Sequence, residues 1–224
     1  LTGMGFKFSA WVIDVSGVAA QFVMVLDVFN LLELKQVTIL FGLLFTAIAC
    51  IIMGSGVPTT PTYIILAAIV APALAGLGVP QLATHFFVFY YGVLADVTPP
   101  VALAAFAAAG IARSEPMGTG FTAFRLSMGK ALVPFAFVYS PALLFIDFTW
   151  SSFLLASACA IVAVMGLGAA YTGFVARPIR GPSFWLLNVL SISLVFANPV
   201  AASVAIPGVL LILLWHNKPL PGTT

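Results

Sequence analysis

Residues 37–53 read VTILFGLLFTAIACIIM, residues 54–60 read GSGVPTT and residues 61–77 read PTYIILAAIVAPALAGL, which makes two charge-free apolar runs joined by a glycine, proline and threonine cluster. At 1.5 Å per residue each run is about 25 Å long, slightly short of a hydrocarbon layer of roughly 30 Å. Neither run alternates with period two, so helix is the structure that satisfies its backbone in lipid. The pair forms either one broken helix or a hairpin that enters and leaves on the same side.

The rest of the chain has the same character. Of 224 residues, 62% are hydrophobic and 6% charged, with mean hydropathy +1.20, whereas a soluble domain carries about 25% charged residues. The fold class is therefore an all-α polytopic membrane protein embedded in the lipid bilayer, with about half a dozen segments in it. A net charge of +2 from scattered basic residues gives no basis for a nucleic-acid partner. Cys50 and Cys159 stand in apolar runs without a partner at metal-ligand or redox spacing, and they are expected to be small buried hydrophobes. The start at Leu1 lacks a signal-peptide pattern, and the sequence has the look of a fragment or of the tail of a longer fused chain.

Six segments follow. Residues 1–36 hold an interfacial arm helix or a first span, in which 11–29 are apolar but carry Asp14, Gln21 and Asp27. Residues 37–77 are the hairpin. Residues 78–112 repeat the design as a discontinuous helix, with an alanine-rich second run of about 18 Å that is too short to cross alone. Residues 113–130 connect on the cytoplasmic side, and 119–128 could lie along the membrane surface. Residues 131–216 are C-terminal transmembrane helices, bent by Pro134 and Pro141 and split near the end at Asn198 and Pro199. Residues 217–224 are a polar tail.

If one interrupted pair crosses and the other turns back, Arg113, Arg125, Lys130, Arg177, Arg180 and Lys218 share one face. Glu33, Lys35 and Asp147 share the other. The positive-inside rule then puts the basic face, and with it the C-terminus, in the cytoplasm.

The two breaks are the candidate site, because irregular backbone at membrane depth is tolerated only where protein buries it or a polar cavity adjoins it. In the first, Gly54, Ser55, Gly56, Val57, Pro58, Thr59 and Thr60 free several main-chain groups. Pro61 suits the first position of the next helix, with Thr60 as its cap. In the second, Asp96, Val97, Thr98, Pro99 and Pro100 do the same, and a helix can restart at Pro100. Half-helix beginnings favour an anionic substrate, while the carbonyl ends before them suit a small hard cation such as Na⁺. That cation is expected at Gly54, Ser55, Gly56, Asp96 and Thr98. Asp96 either contacts ion or substrate or ties down its loop by accepting backbone amides. His85, among Phe86, Phe87, Phe89, Tyr90 and Tyr91, is expected to be a hydrogen-bonded packing residue and His216 an interfacial one.

Residues 2–9 (TGMGFKFS), 53–60 (MGSGVPTT), 87–105 (FVFYYGVLADVTPPVALAA) and 113–117 (RSEPM) together resemble the large membrane subunit of tripartite ATP-independent periplasmic (TRAP) transporters, specifically the C-terminal portion of a fused, TAXI-type permease. The resemblance implies an elevator-type transporter of the inner membrane, of which this chain would be the second inverted repeat. It implies a re-entrant hairpin with its tip at Gly54 to Thr60, an unwound crossing helix at Asp96 to Pro100, and Na⁺ symport. It implies an organic anion substrate, usually a carboxylate, handed over by a periplasmic solute-binding protein. The missing N-terminal half or a small membrane subunit would complete the machine. No enzymatic activity and no cofactor besides the coupling ion are expected. A structural subunit without its own transport site is the alternative. An intramembrane serine protease using Ser55 and His85 is disfavoured, because Met53 stands two residues before the serine where a nucleophile elbow needs glycine.

Overall fold

The computed structural model describes residues 3–26 and 33–217; Asp27, Lys218 and the rest of the polar tail lie outside them. Among the described residues every regular element is helical and none is a strand. Six helical stretches are long and apolar enough to cross a membrane: Gly5–Val25, Leu34–Gly54, Thr59–Gly76, Pro116–Tyr139, Trp150–Thr172 and Pro199–His216. Contacts divide the chain into two compact units, Leu1–Gly120 and Phe121–Thr224.

In the first unit, α1 (Met4–Leu26) buries Val12, Ser16 and Ala20 at one-turn spacing and exposes Trp11, Val18, Phe22 and Val25. The apolar outer face is what a helix in contact with lipid needs. α2 (Leu34–Gly54) begins ahead of the apolar run, where Thr38 Oγ1 bonds the Leu34 carbonyl (2.8 Å) and Gln36 Nε2 bonds Glu33 Oε2 (3.1 Å). The first arm is thereby 21 residues long, about 31 Å, and no longer short of the hydrocarbon.

The second arm is α3 (Thr59–Ile69) followed by α4 (Ala71–Gly76). The bend between them arises because Pro72 has no amide for the Ala68 carbonyl. Ala73 N bonds Val70 O (3.0 Å) in place of Ile69 O. Both freed carbonyls face α1. Ser9 Oγ is shared between Ile69 O (3.4 Å) and Gly5 O (2.9 Å), and Gly5 leaves room for Ala68 O, which would lie 3.4 Å from an added Cβ. Leu77 packs directly on Gly42, so the second arm folds back along the first. α5 (Gln81–Leu94) packs on α2 and α3, passes into a 3₁₀ turn (Ala95–Val97), and the chain restarts as α6 (Leu103–Ala112).

The segment 113–130 is mostly helix. α7 (Pro116–Ala131) starts at Glu115, whose carboxylate accepts from Met117 N (2.9 Å) and from Gly118 N, satisfying amides that no helical carbonyl can reach. The division between units falls within α7.

In the second unit α7 continues past Leu132 into α8 (Val133–Tyr139), antiparallel to α9 (Trp150–Thr172). Three contacts fix the register. Arg125 Nε donates to Tyr171 O (2.6 Å), a Cβ on Gly129 would stand 3.1 Å from Gly168 Cα, and Ala136 shares a small void with Ala160. Helix therefore runs beside α9 from Arg125 onward, ahead of the expected start at residue 131. Pro141 ends α8, and a 3₁₀ turn (Pro141–Leu144) with left-handed Phe145 and Asp147 (φ 59° and 49°) turns the chain into α9. Phe145, Phe148, Trp150 and Phe153 cluster there, with Phe145 and Trp150 each 70% exposed, the composition of an interfacial aromatic belt.

α10 (Pro182–Ser193) and α11 (Pro199–His216) close on α9 around Val162, Leu187, Leu194 and Val209. The split at Asn198 falls where expected, with Asn198 Oδ1 accepting from Val200 N (2.9 Å). Away from Asp147, the loop after α9 meets the end of α11 as Ala176 N donates to His216 O (3.1 Å). His216 is at a helix end as expected, but its side chain is buried with Nδ1 at 2.9 Å from Ile212 O. Cys50 and Cys159 are free and buried.

Because the neighbour of Gly129 is backbone, a methyl there cannot be accommodated by a rotamer change. Gly129→Ala is expected to lower stability by about 1–3 kcal/mol. Gly110→Ala, whose Cβ meets nothing within 4 Å, should be neutral or stabilising. Thermal midpoints of the detergent-solubilised chain check this, and equal shifts for both variants would refute the close approach.

Candidate functional site

α2 stops at Gly54 and Ser55 turns extended (φ −63°, ψ 118°). Gly56 then takes φ +81°, a left-handed conformation that a side chain resists. Pro58 precedes α3, which starts at Thr59. The expected start at Pro61 is thus corrected. Pro61 is inside the first turn, where its missing amide costs nothing because that position has no helical acceptor. Thr59 N and Thr60 N are left at the helix beginning, while Thr62 N bonds Pro58 O (3.1 Å).

Hydroxyls close the loop. Ser55 Oγ donates to Ile51 O (2.7 Å), Thr62 Oγ1 donates to Val57 O (3.1 Å), and Val57 N donates to Gly54 O (3.3 Å).

The second break has the same design. Thr98 N bonds Ala95 O (3.1 Å) and Thr98 Oγ1 donates to Leu94 O (2.8 Å). Pro99 and Pro100, joined by a cis peptide, supply no amide, so the Asp96 carbonyl loses its helical donor. The chain reaches Ala102 in a left-handed conformation (φ 26°, ψ 52°), and α6 begins at Leu103. The expected restart at Pro100 is corrected, because the turn closes only when Ala102 N reaches Thr98 O (3.2 Å).

The fold brings the two breaks together. A Cβ on Gly54 would stand 2.9 Å from Ala95 Cβ, 3.1 Å from Thr62 Cγ2 and 3.4 Å from Gly92 O; one on Gly56 would stand 3.3 Å from Val101 Cγ1. Gly92 in turn accommodates Thr62 and Leu66. Glycine at these positions lets α2 and α5 end side by side. Gly92 was quoted above only as part of a family motif, and no sequence feature marked it as the second half of this contact.

Thr98 is buried and Ser55, Val57, Thr59, Asp96, Val97 and Pro99 are half-buried, whereas Gly56, Pro58, Thr60 and Pro100 are exposed. Ser55 and Thr98 each give their single proton to a carbonyl one turn back, so toward any ligand they present oxygen lone pairs only. Among the described residues nothing hydrogen-bonds the Asp96 carboxylate, so it does not tie down its own loop through backbone amides. The described residues also contain no group of three His, Cys, Asp or Glu able to hold a metal. A cation here would be held by hydroxyl and main-chain oxygens with Asp96 as the carboxylate, a donor set for a hard ion.

Two residues were not legible in the sequence. Thr46 of α2 and Thr84 of α5 are buried, and among the described residues neither hydroxyl oxygen has a hydrogen-bond partner. They lie about two turns behind Gly54 and Gly92 on the same two helices. His85 Nδ1 pairs with Tyr63 OH (3.0 Å), and Phe89 stacks edge-on against Tyr63. His85 is the hydrogen-bonded packing residue expected. Ser55 Oγ and His85 Nδ1 each bond another group, Ile51 O and Tyr63 OH.

The family model described as "Tripartite ATP-independent periplasmic transporter, DctM component" matches residues 1–151. No curated protein and no solved structure matches.

Contact between the breaks predicts a cross-link. In a chain with Cys50→Ser and Cys159→Ser, the pair Gly56→Cys and Val101→Cys should oxidise to a disulfide seen as a gel-mobility shift, because an added Cβ on Gly56 would touch the Val101 side chain, 3.3 Å from its Cγ1. A pair that stays reduced under oxidant would separate the breaks.

Proposed function

Because this chain belongs to the DctM component family of the tripartite ATP-independent periplasmic transporters, we propose that it is the permease subunit of a Na⁺-coupled secondary transporter importing an organic anion, a carboxylate. The family makes it a membrane transporter component. The coupling ion, the substrate class, the fused TAXI-type arrangement and the elevator mechanism are the proposal's own.

One observation carries it: two interrupted helices end side by side, with Gly54 against Ala95 and Gly92, and Gly56 against Val101. Ser55, Thr98 and Asp96 would contribute oxygens to Na⁺, together with the carbonyls around Gly54 and Gly56. The amides of Thr59 and Thr60, at the positive end of α3, would meet the carboxylate. Bound cation and anion would neutralise each other where hydrocarbon makes either alone expensive. Coupling then follows, because the ion creates the charge that the substrate needs.

Gly54–Thr60 would be the tip of a re-entrant hairpin opening to the periplasm, where a solute-binding protein delivers the anion. A first repeat on another segment or subunit would supply the other flank of the site. The distribution of basic residues in the second unit supports an inner-membrane orientation with the C-terminus in the cytoplasm. Arg125 reaches the end of α9 beside the loop bearing Arg177 and Arg180, while Asp147 lies at the opposite end.

Proteoliposome uptake by the full assembly tests this. Replacing Na⁺ by K⁺ or choline should abolish uptake. Thr98→Ala should raise the Na⁺ concentration for half-maximal uptake about tenfold, roughly 1.4 kcal/mol of lost ion contact, and Thr98→Ser should restore it. Asp96→Ala should weaken Na⁺ dependence at least as much. Undiminished transport in every case would leave the chain a structural subunit without this site.

A further inference from the structure

The second unit has a groove of about 530 Å³ between the C-terminal halves of α9 and α11, well within the roughly 300–1,000 Å³ of small-molecule sites. Met165, Gly168 and Thr172 form one wall, Leu210 and Leu213 the other, and Asn217 stands at the mouth. Both helices end at this mouth, since Ala176 N after α9 donates to His216 O. From Met165 to Thr172 the groove runs about 10 Å along α9, parallel to the helix axes. It is apolar until Thr172 and Asn217.

At that mouth the chain is basic. Arg125 Nε and Nη2 donate to Tyr171 O (2.6 Å) and Thr172 O (3.5 Å), which neutralises the carbonyl end of α9 and anchors the guanidinium beside a wall residue. A guanidinium has five donors, so an anchored fork still has donors to offer. Arg180 is exposed on the loop after α9, where Ile179 N donates to Gly173 O (2.8 Å), next to the wall residue Thr172. Asp147, the carboxylate of this unit, is at the far end of α9 beside Trp150.

We propose that this groove binds an anionic phospholipid, with one acyl chain between α9 and α11 and the phosphodiester on Arg125 and Arg180. An acyl chain needs an apolar slot along the membrane normal, and a phosphodiester needs planar donors at headgroup depth. Free phosphate would use the arginines and leave the slot, and a zwitterionic lipid would use the slot without a net charge for the arginines. The anionic lipid alone uses both.

Native mass spectrometry of the detergent-purified full chain tests the proposal with phosphatidylglycerol, phosphatidylcholine of identical chains, and glycerol 3-phosphate. Phosphatidylglycerol should bind about tenfold more tightly than phosphatidylcholine, and glycerol 3-phosphate should not bind. Arg125→Gln with Arg180→Gln should erase the preference and leave weak phosphatidylcholine binding. A Cβ on Gly168 meets nothing within 4 Å, so Gly168→Leu should plug the slot and weaken both lipids, with Met165→Trp as a second plug. Equal binding of the two lipids to the unaltered chain would overturn the proposal, as would a preference that survives the arginine changes. So would folded plug variants that retain lipid, glycerol 3-phosphate bound as tightly as the lipid, or lipid bound only once residues 218–224 are removed. If neither plug folds, the lipid comparison and the arginine variants decide.

Discussion

Hydrocarbon returns no hydrogen bond to a helix that stops, so every interruption in this chain has to be closed from within. An unmet amide or carbonyl there costs on the order of several kcal/mol. Short hydroxyl side chains meet most of that demand: Ser55 on Ile51, Thr62 on Val57 and Thr98 on Leu94. Each reaches a carbonyl four or five positions back, so each break is sealed by residues beside it. Gly56 and Ala102 then absorb the left-handed backbone that the reversals require. What is left over, a carboxylate and a few oriented oxygens and amides, is the chemistry available to a ligand.

Glycine decides where those breaks lie. Gly54 and Gly92 remove the side chains that would hold α2 and α5 apart, and Thr62 fills the space between them. The hairpin tip and the interrupted helix are therefore one packed body, and displacing one disturbs the other. In the second unit the same device works between backbones, at Gly129 and Gly168, where it draws α7 against α9.

The helical class, both breaks and the split at Asn198 were legible, because proline, glycine and uncharged runs act locally. Cys50, Cys159 and His85 also sit as their neighbours suggested. The helix starts were displaced. Pro58 and Pro61 compete for the first turn of α3, and only the tertiary turn at Gly56 favours the earlier. At the second break the chain needs Ala102 in an unfavoured conformation before α6 can begin, and an alanine gives no sign of that. Helix across 116–131 was obscured by Gly118, Gly120 and Gly129, although Glu115 marks its start. Gly92 belongs to a contact between segments distant in sequence, and no local pattern reports such a contact.

The bend at Pro72 gives α1 a task beyond filling space. The carbonyls of Ala68 and Ile69, cut loose by that proline, are sheltered by Gly5 and Ser9. The opening helix is in effect a splint bound along a fractured limb. A version of the protein trimmed past Ser9 would keep both hairpin arms yet lose the brace that sets the angle of the second, so the segment before the hairpin shapes the first unit as much as the tip does.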